Sequence, residues 1–417
     1  LTVRVLIAWC NGGNWGHVSR QLALARHAQH VGAEVLWAVP ARNADAMAAV
    51  RARGHRVLVQ RAAGMTLPTQ RGAPRSYAGI LLRQGFGDAA TLEAQTVPWL
   101  QLYEHVRPDR VLIDYAPAAQ FAAQLTGLPT LQLTNGFDSP PADCPPYEAQ
   151  VRGLYLWQQA ATHAALVDQA LQAVSGKLAP QRTDCGLQAL IEYPHRLMDC
   201  VAQTDPYGDR RAPNDPRLTY VGALGEAPDA APVHWPAAQA SQRVFAYLRG
   251  RHPLAVTVLS ALVQADSSVL CVWPDAPEDA LARLAASARL IVTRRPVQAL
   301  QALQQADAVV NYGSSTFVCQ ALLAGKPQLM LPNDHEKTMV ATRVATAGLG
   351  WWCSQHASED QARQLTHALL TDTQVRRNAQ LVARRHLDLH EHRATTLRAA
   401  LVRAGSTRSA QLAQAAN

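Results

Sequence analysis

Lysine is almost missing from this sequence. Of 39 basic side chains only Lys177, Lys326 and Lys337 are not arginine. A chain rich in arginine and alanine follows most simply from genomic base composition. No basic run or aromatic-interleaved basic stripe is present, so nothing points to nucleic acid. Cysteine is sparse and scattered: seven residues, an odd number, with no Cys-x-x-Cys pair. That argues against a disulfide framework and a zinc site, and favours a reducing compartment. No apolar stretch approaches the ~20 residues that span a bilayer, and no secretory signal is recognised. Aromatic residues make up only 6%, yet 48% of the 417 residues are hydrophobic. Such a chain can bury a large core in two or three domains. Its net charge of +8 suits a polyphosphate substrate or an anionic surface.

Short apolar runs alternate with helical patterns in the first half. Strands are expected at Val3–Trp9, Glu34–Pro40, His55–Gln60, Arg110–Tyr115 and Thr130–Thr134, with helices at His17–Val31 and Pro117–Leu125. A less regular stretch follows, partly helical over Tyr147–Val174. After a short strand at Leu218 comes an Ala/Pro/Gly segment without periodicity, read as a linker. A second series then begins, with strands at Arg243–Leu248, Ser268–Trp273, Leu290–Thr293, Ala308–Asn311 and Gln328–Leu331. The expected organisation is an N-terminal domain (1–222), a linker (223–240), a C-terminal domain (241–385) and a helical tail (386–417) that could cross back to the first domain. Strand–helix alternation implies parallel, doubly wound sheets. Ligands of such sheets sit outside the carboxyl ends of the strands, so the loops there hold the chemistry.

Two of those loops stand out. The first runs Cys10-Asn11-Gly12-Gly13-Asn14-Trp15-Gly16-His17, longer than a plain connector and ending where a helix begins. The second, Tyr312-Gly313-Ser314-Ser315-Thr316, also leads straight into a helix. Small residues there let backbone N–H groups approach a phosphate, helped by the helix dipole. A Ser/Thr cap after a strand is also a common structural feature. Further on come Ala324-Gly325-Lys326-Pro327, Pro332-Asn333-Asp334-His335-Glu336-Lys337 and Gly348-Leu349-Gly350.

This series resembles the donor-binding signature of the family 1 glycosyltransferases, the UDP-glycosyltransferase superfamily, and within it the bacterial macrolide-glycosyltransferase-like branch. The segment "RRPVQALQALQQADAVV", Arg294 to Val310, is similar to the piece lying against the nucleotide base. Gly16-His17-Val18 is similar to the family's Gly-His after the first strand, where the histidine is the general base in many members. A Gly-rich loop ending in Gly-His is also found in the peptidoglycan N-acetylglucosaminyltransferase family. The stretch "RPDRVLIDYAPAAQFAAQLTGLPTLQL" is similar to the segment holding the aspartate that orients this histidine, which makes it Asp114.

The resemblance implies an α/β chain of GT-B architecture, two Rossmann-like doubly wound domains facing a cleft, with a C-terminal helical tail. It implies a diphosphate site at Gly313, Ser314, Ser315 and Thr316 with help from Arg249, base contacts from Pro296, Val297 and Gln298, and Gln320 at the ribose. Glu336 and Lys337 would face the donor sugar, and Asn14, Trp15 and Gly16 would line the acceptor side. The sequence departs from the family at several places. Tyr312 stands for the usual His, Ser314 for a second Gly, Gln320 for Glu and Lys337 for Gln, and Arg249-Gly250-Arg251 follows the first strand of the second domain where the family often has Gly-Ser. Gln320 can still hydrogen-bond a ribose, but its N–H group cannot accept.

The chemistry expected is inverting transfer of a sugar from a UDP- or dTDP-sugar to an acceptor hydroxyl. Histidine suits the base because its unperturbed pKa of ~6.5 lies near working pH. A carboxylate on its far nitrogen fixes the tautomer. Preorganised N–H donors stabilise the leaving diphosphate. No Asp-x-Asp metal motif occurs, and neither metal nor resident cofactor is expected. The nucleotide sugar would be a co-substrate. A cytoplasmic protein is expected, and a peripheral contact with the inner membrane face would suit a lipid-linked acceptor. Two other readings stay open on the residues: a nucleotide-sugar binder without transferase activity, and an enzyme like UDP-N-acetylglucosamine 2-epimerase.

Overall fold

The structure, a computed structural model, describes residues 3–10, 15–40, 43–60, 73–147, 154–208, 210, 217–225 and 230–403. The chain divides into two compact units. The first comprises residues 1–199, 211–225 and 391–417, and the second residues 200–210 and 226–390.

In the first unit the chain runs β1 (Arg4–Trp9), α1 (Trp15–His30), β2 (Glu34–Pro40), α2 (Ala44–Ala52) and β3 (Arg56–Gln60). It continues through α3 (Tyr77–Arg83), α4 (Ala89–Val106), β4 (Arg110–Asp114), α5 (Pro117–Thr126) and β5 (Thr130–Thr134). Then come α6 (Leu154–Leu178), α7 (Leu187–Glu192), β6 (His195–Met198) and β7 (Leu218–Tyr220). All pairings are parallel, in the order β3-β2-β1-β4-β5-β6-β7. The strand order reverses between β1 and β4, where Trp9 pairs with Asp114. That reversal is the point at which doubly wound sheets place their ligands.

Parallel strands buried on both faces read as continuous apolar runs, and β1 does. Because side chains alternate, Leu6 and Ala8 enter one core with Ile113, Phe121 and Trp99. Val5, Ile7 and Trp9 enter the other with Val18, Leu22 and Trp37. Leu397, Ala400 and Leu401, from the last helix among the described residues, cover this second face.

The second unit has the same grammar: β8 (Gln242–Tyr247), α8 (Ala255–Gln264), β9 (Ser267–Val272), α9 (Glu278–Leu284), β10 (Leu290–Thr293) and α10 (Ala299–Gln305). There follow β11 (Ala308–Asn311), α11 (Ser315–Leu323), β12 (Gln328–Met330), α12 (His335–Thr346) and β13 (Gly350–Trp352). Helices α13 (Glu359–Thr371) and α14 (Thr373–Arg385) close the unit, and α15 (Leu389–Arg403) is the last helix among the described residues. The parallel order is β10-β9-β8-β11-β12-β13, with the reversal between β8 and β11. The expected α/β fold with two doubly wound sheets is therefore present, and the expected helical tail is seen as α15 up to Arg403, with residues 404–417 outside the described residues.

Differences from the sequence reading are local. Strands β6 and β13, four and three residues long, were not foreseen. The helix expected at Tyr147–Val174 corresponds to α6, described over Leu154–Leu178, with residues 148–153 outside the described residues. Within the expected linker, Ala231 makes a parallel bridge to Val297. Residues 200–210 pack with the second unit through a short 3-10 turn, Ala202–Thr204, against α11 and α12.

Candidate active site

In the first unit the chemistry gathers at the carboxyl ends of β1 and β4. His17, Arg20 and Gln21 lie on α1 at spacings of three and four, hence on one helix face. All three converge on Asp114, the last residue of β4, which is fully buried. His17 Nδ1 lies 2.9 Å from Asp114 Oδ1, and Gln21 Nε2 donates to Oδ2 at 2.7 Å. Arg20 donates from Nε to Oδ2 at 3.0 Å and from Nη2 to Oδ1. The imidazole stacks on Trp9, with ring centres 5.9 Å apart, and its side chain is 19% exposed. Its Nε2 makes no hydrogen bond to a described residue.

Arg20 Nη2 is also 3.0 Å from His17 Nδ1, so two tautomers compete. With the proton on Nδ1, each lone-pair site of the carboxylate meets a donor. With the proton on Nε2, a nitrogen lone pair would face an anionic oxygen at 2.9 Å. The carboxylate therefore favours Nδ1–H, which leaves Nε2 with a free lone pair. Burial alone would push the Asp114 carboxyl up. The Arg20 charge and the His17 contact outweigh it and hold this group well below the usual carboxylate range.

Two further acids surround Arg20. Asp199, just after β6, lies 3.9 Å from Arg20 Nη1 and accepts the Leu224 backbone N–H. Asp138, in the loop after β5, accepts from Thr134 Oγ1, and its Oδ2 has no partner among the described residues. Burial pushes the Asp138 carboxyl up, opposed by the Arg20 charge. The sequence reading missed Arg20, Gln21, Asp138 and Asp199. Helical spacing from His17 was signal enough for the first two. The acids carry only their position after a strand. Tyr115, directly after Asp114, adopts φ 48°, a left-handed conformation unusual for a residue with a side chain. Of the expected acceptor-side residues, Gly16 is in the first turn of α1, and Trp15 is described only as its first residue. Asn14 lies outside the described residues.

In the second unit, the turn Asn311–Ser315 joins β11 to α11. A buried amide relay fixes it. Asn311 Oδ1 accepts the Gly313 N–H at 2.8 Å, Asn311 Nδ2 donates to Gln328 Oε1 at 2.9 Å, and Gln328 Nε2 donates to the Val318 carbonyl at 3.0 Å. Gly313 has φ +85°, and a Cβ there would come within 3.1 Å of the Lys337 carbonyl, so only glycine fits. Ser314 is the N-cap of α11, but its side chain makes no capping bond. Ser315 is buried, and its Oγ has no partner among the described residues. A helix start with a buried hydroxyl that has no partner among the described residues is chemically matched to an anionic oxygen, because the first N–H groups of a helix lack an intrahelical acceptor. Thr316 is half-buried in the same turn, and Gln320 is half-buried on the next turn of α11.

Around this turn, Arg249 follows β8, and its carbonyl accepts from Asn333 Nδ2 at 3.1 Å. Asp334 caps α12 by accepting the Lys337 N–H at 3.0 Å and also pairs with the Lys337 ammonium. That ammonium sits 5.8 Å from the centre of the Tyr312 ring. Burial pulls the Lys337 pKa down, but Glu336 and Asp334 outweigh it and the net direction is up. Two of the departures from the family pattern, Tyr312 and Lys337, are thus in mutual contact. Glu336 is half-buried beside them. Val297 points into the core with Phe245 and Phe317. The Pro296 carbonyl accepts the Ala231 N–H at 2.9 Å, and the Gln298 N–H donates to the Ala231 carbonyl at 2.9 Å. Among the described residues no group of three His, Cys, Asp or Glu side chains could hold a metal ion, and no helix is long and apolar enough to cross a membrane.

Comparison with known proteins agrees with the fold. The family model for the C-terminal domain of erythromycin biosynthesis protein CIII-like proteins matches residues 256–389. Among solved structures, the glycosyltransferase SnogD from Streptomyces nogalater is 19% identical with TM-score 0.66, over 97% of this chain and 100% of that one. The calicheamicin glycosyltransferase CalG4 is 18% identical with TM-score 0.72, over 96% and 98%. The spinosyn rhamnosyltransferase SpnG, solved with thymidine diphosphate, is 20% identical with TM-score 0.61, over 95% and 99%. No curated protein matches the sequence. The resemblance drawn from the motifs therefore extends to the fold: residues 256–389 match the EryCIII-like C-terminal domain model, and the chain has the two-sheet GT-B fold of these solved glycosyltransferases.

Proposed function

We propose that the protein transfers a sugar from a nucleoside diphosphate sugar to an acceptor hydroxyl, with His17 as general base and inversion at the anomeric carbon. The observation that carries this reading is the contact of His17 Nδ1 with the buried Asp114 carboxylate, which leaves Nε2 without a bond to any described residue at the carboxyl end of β1. Nε2 takes the acceptor proton as the oxygen attacks, and Asp114 stabilises the imidazolium that forms. The start of α11, with Ser315 Oγ, receives the diphosphate as charge develops on it, with Arg249 as a further cation and no resident metal. On the family resemblance, Pro296 and Gln298 would flank the base, Gln320 the ribose, and Glu336 and Lys337 the donor sugar, while the Val297 side chain lies in the core. Thymidine diphosphate is the favoured nucleotide, because SpnG carries it and VinC was solved in complex with dTDP.

The test is a donor screen with the His17→Asn variant. Wild-type protein should bind one nucleoside diphosphate selectively and turn over its sugars in the presence of EDTA. The variant should keep donor affinity and lose turnover by about 100-fold or more. A His17→Asn enzyme with unchanged kcat would refute the base assignment.

A further inference from the structure

Arg20 was not singled out by any motif, yet it meets more acids than any other charge in the site. It is 4% exposed, and its fork spans both oxygens of Asp114. Its third nitrogen faces Asp199, and its charge also reaches Asp138. Asp114 cannot remain an anion at zero exposure without a counter-charge. Nor does a lone carboxylate have a reason to turn one particular oxygen to His17. A planar guanidinium supplies both, because two parallel N–H···O bonds fix the plane of the carboxylate. Gln21 completes the set on Oδ2, so Oδ1 is the oxygen left to face the imidazole.

We propose that Arg20 is a positioning residue: it holds the Asp114 carboxylate ionised and oriented, and thereby sets the His17 proton on Nδ1 and the free lone pair on Nε2. This rests on the reading of His17 as the base, but it makes a claim about the resting protein that can be read without turnover. The same guanidinium lies 3.0 Å from Nδ1 and would, if Asp114 turned away, donate there and put the imidazole into the wrong tautomer. Arg20 therefore supports the productive tautomer only while both of its bonds to Asp114 are made.

Nitrogen-15 NMR of the histidine-labelled full-length protein reads the tautomer directly. In the wild type, neutral His17 should carry its proton on Nδ1. In Arg20→Lys, one ammonium replaces the fork and keeps the buried charge compensated. There the Nδ1–H preference should weaken, and kcat should fall about tenfold while the donor KM stays within about twofold. In Arg20→Gln the preference should vanish and kcat should fall about 100-fold. A wild-type His17 protonated on Nε2 overturns the proposal, as does a wild-type tautomer with wild-type kcat in Arg20→Lys. If no donor supports turnover in the wild type, the base reading fails, while the tautomer measurement still decides the role of Arg20.

Discussion

The substitution Asp114→Asn removes one charge and almost no volume, so its effect isolates the electrostatics of the buried site. Donors surround the carboxylate: His17 Nδ1 and Arg20 Nη2 at Oδ1, Arg20 Nε and Gln21 Nε2 at Oδ2. An amide offers one oxygen and one NH2 group. Whichever way the substituted amide turns, its NH2 group faces an Arg20 N–H, and the second neighbour, His17 or Gln21, can accept only by changing tautomer or flipping its amide. Arg20 keeps only Asp199, at 3.9 Å, as an ion-pair partner among the described residues. Breaking a buried ion pair from one side costs about 3–5 kcal/mol. Native-state hydrogen exchange is the assay, because it reports on β1 and β4 within the first unit alone. At about 1.4 kcal/mol per tenfold, globally exchanging amides of those strands should speed up by about 100-fold or more. The pH dependence has a definite sign. Asp114 is held below the usual carboxylate range, so the folded state binds fewer protons than the unfolded one. Its stabilisation is complete above the unfolded value of about 3.9 and is lost as pH falls through the folded value. The gap between wild type and variant should be flat at neutral pH and close only below about pH 4. Unchanged exchange at β4, or a gap that closes towards alkaline pH, would refute the reasoning.

Ser315→Ala deletes a buried hydroxyl that has no partner among the described residues. The melting temperature should hardly move, while nucleoside diphosphate affinity drops about tenfold or more, as titration calorimetry would read. Equal loss in both would mean a structural role only. His252 is buried, donates from Nε2 to the Cys353 carbonyl and accepts the Leu254 N–H on Nδ1. Burial lowers its pKa, so the stabilisation is present above about 6.5 and is lost as pH falls through the folded value. Thermal melts at stepped pH should show wild type losing more stability than His252→Gln on acidification, and parallel curves would count against it.

Much of the site was legible because it lies at strand ends, where local sequence carries the signal. His17 follows an apolar run and opens a helix, and Asp114 ends another run. The parallel sheet then dictates that both arrive at one edge. The Gly313 turn was readable for the same reason, since only glycine meets its backbone requirement. The strands β6 and β13 escaped notice because their sequences, His-Arg-Leu-Met and Gly-Trp-Trp, open on basic residues and on glycine instead of an apolar run. Val297 reads as a contact for a nucleotide base, yet its side chain closes the core, because a bridge to Ala231 holds that segment inward.

The sequence by itself determined the alternation of strands and helices, the two sheets that follow from it, and the loops where chemistry would sit. These depend on apolar period, turn residues and chain order, all local properties. Only the tertiary structure decided how the charges are shared. Arg20 reaches three acids, Asp114, Asp138 and Asp199, that come from the ends of β4, β5 and β6. They are far apart along the chain, and no periodicity records that meeting. Nor could the sequence tell whether the serines at the start of α11 spend their hydroxyls on the helix. Burial and hydrogen-bond geometry answer that: Ser314 makes no capping bond, and the buried Ser315 Oγ has no partner among the described residues.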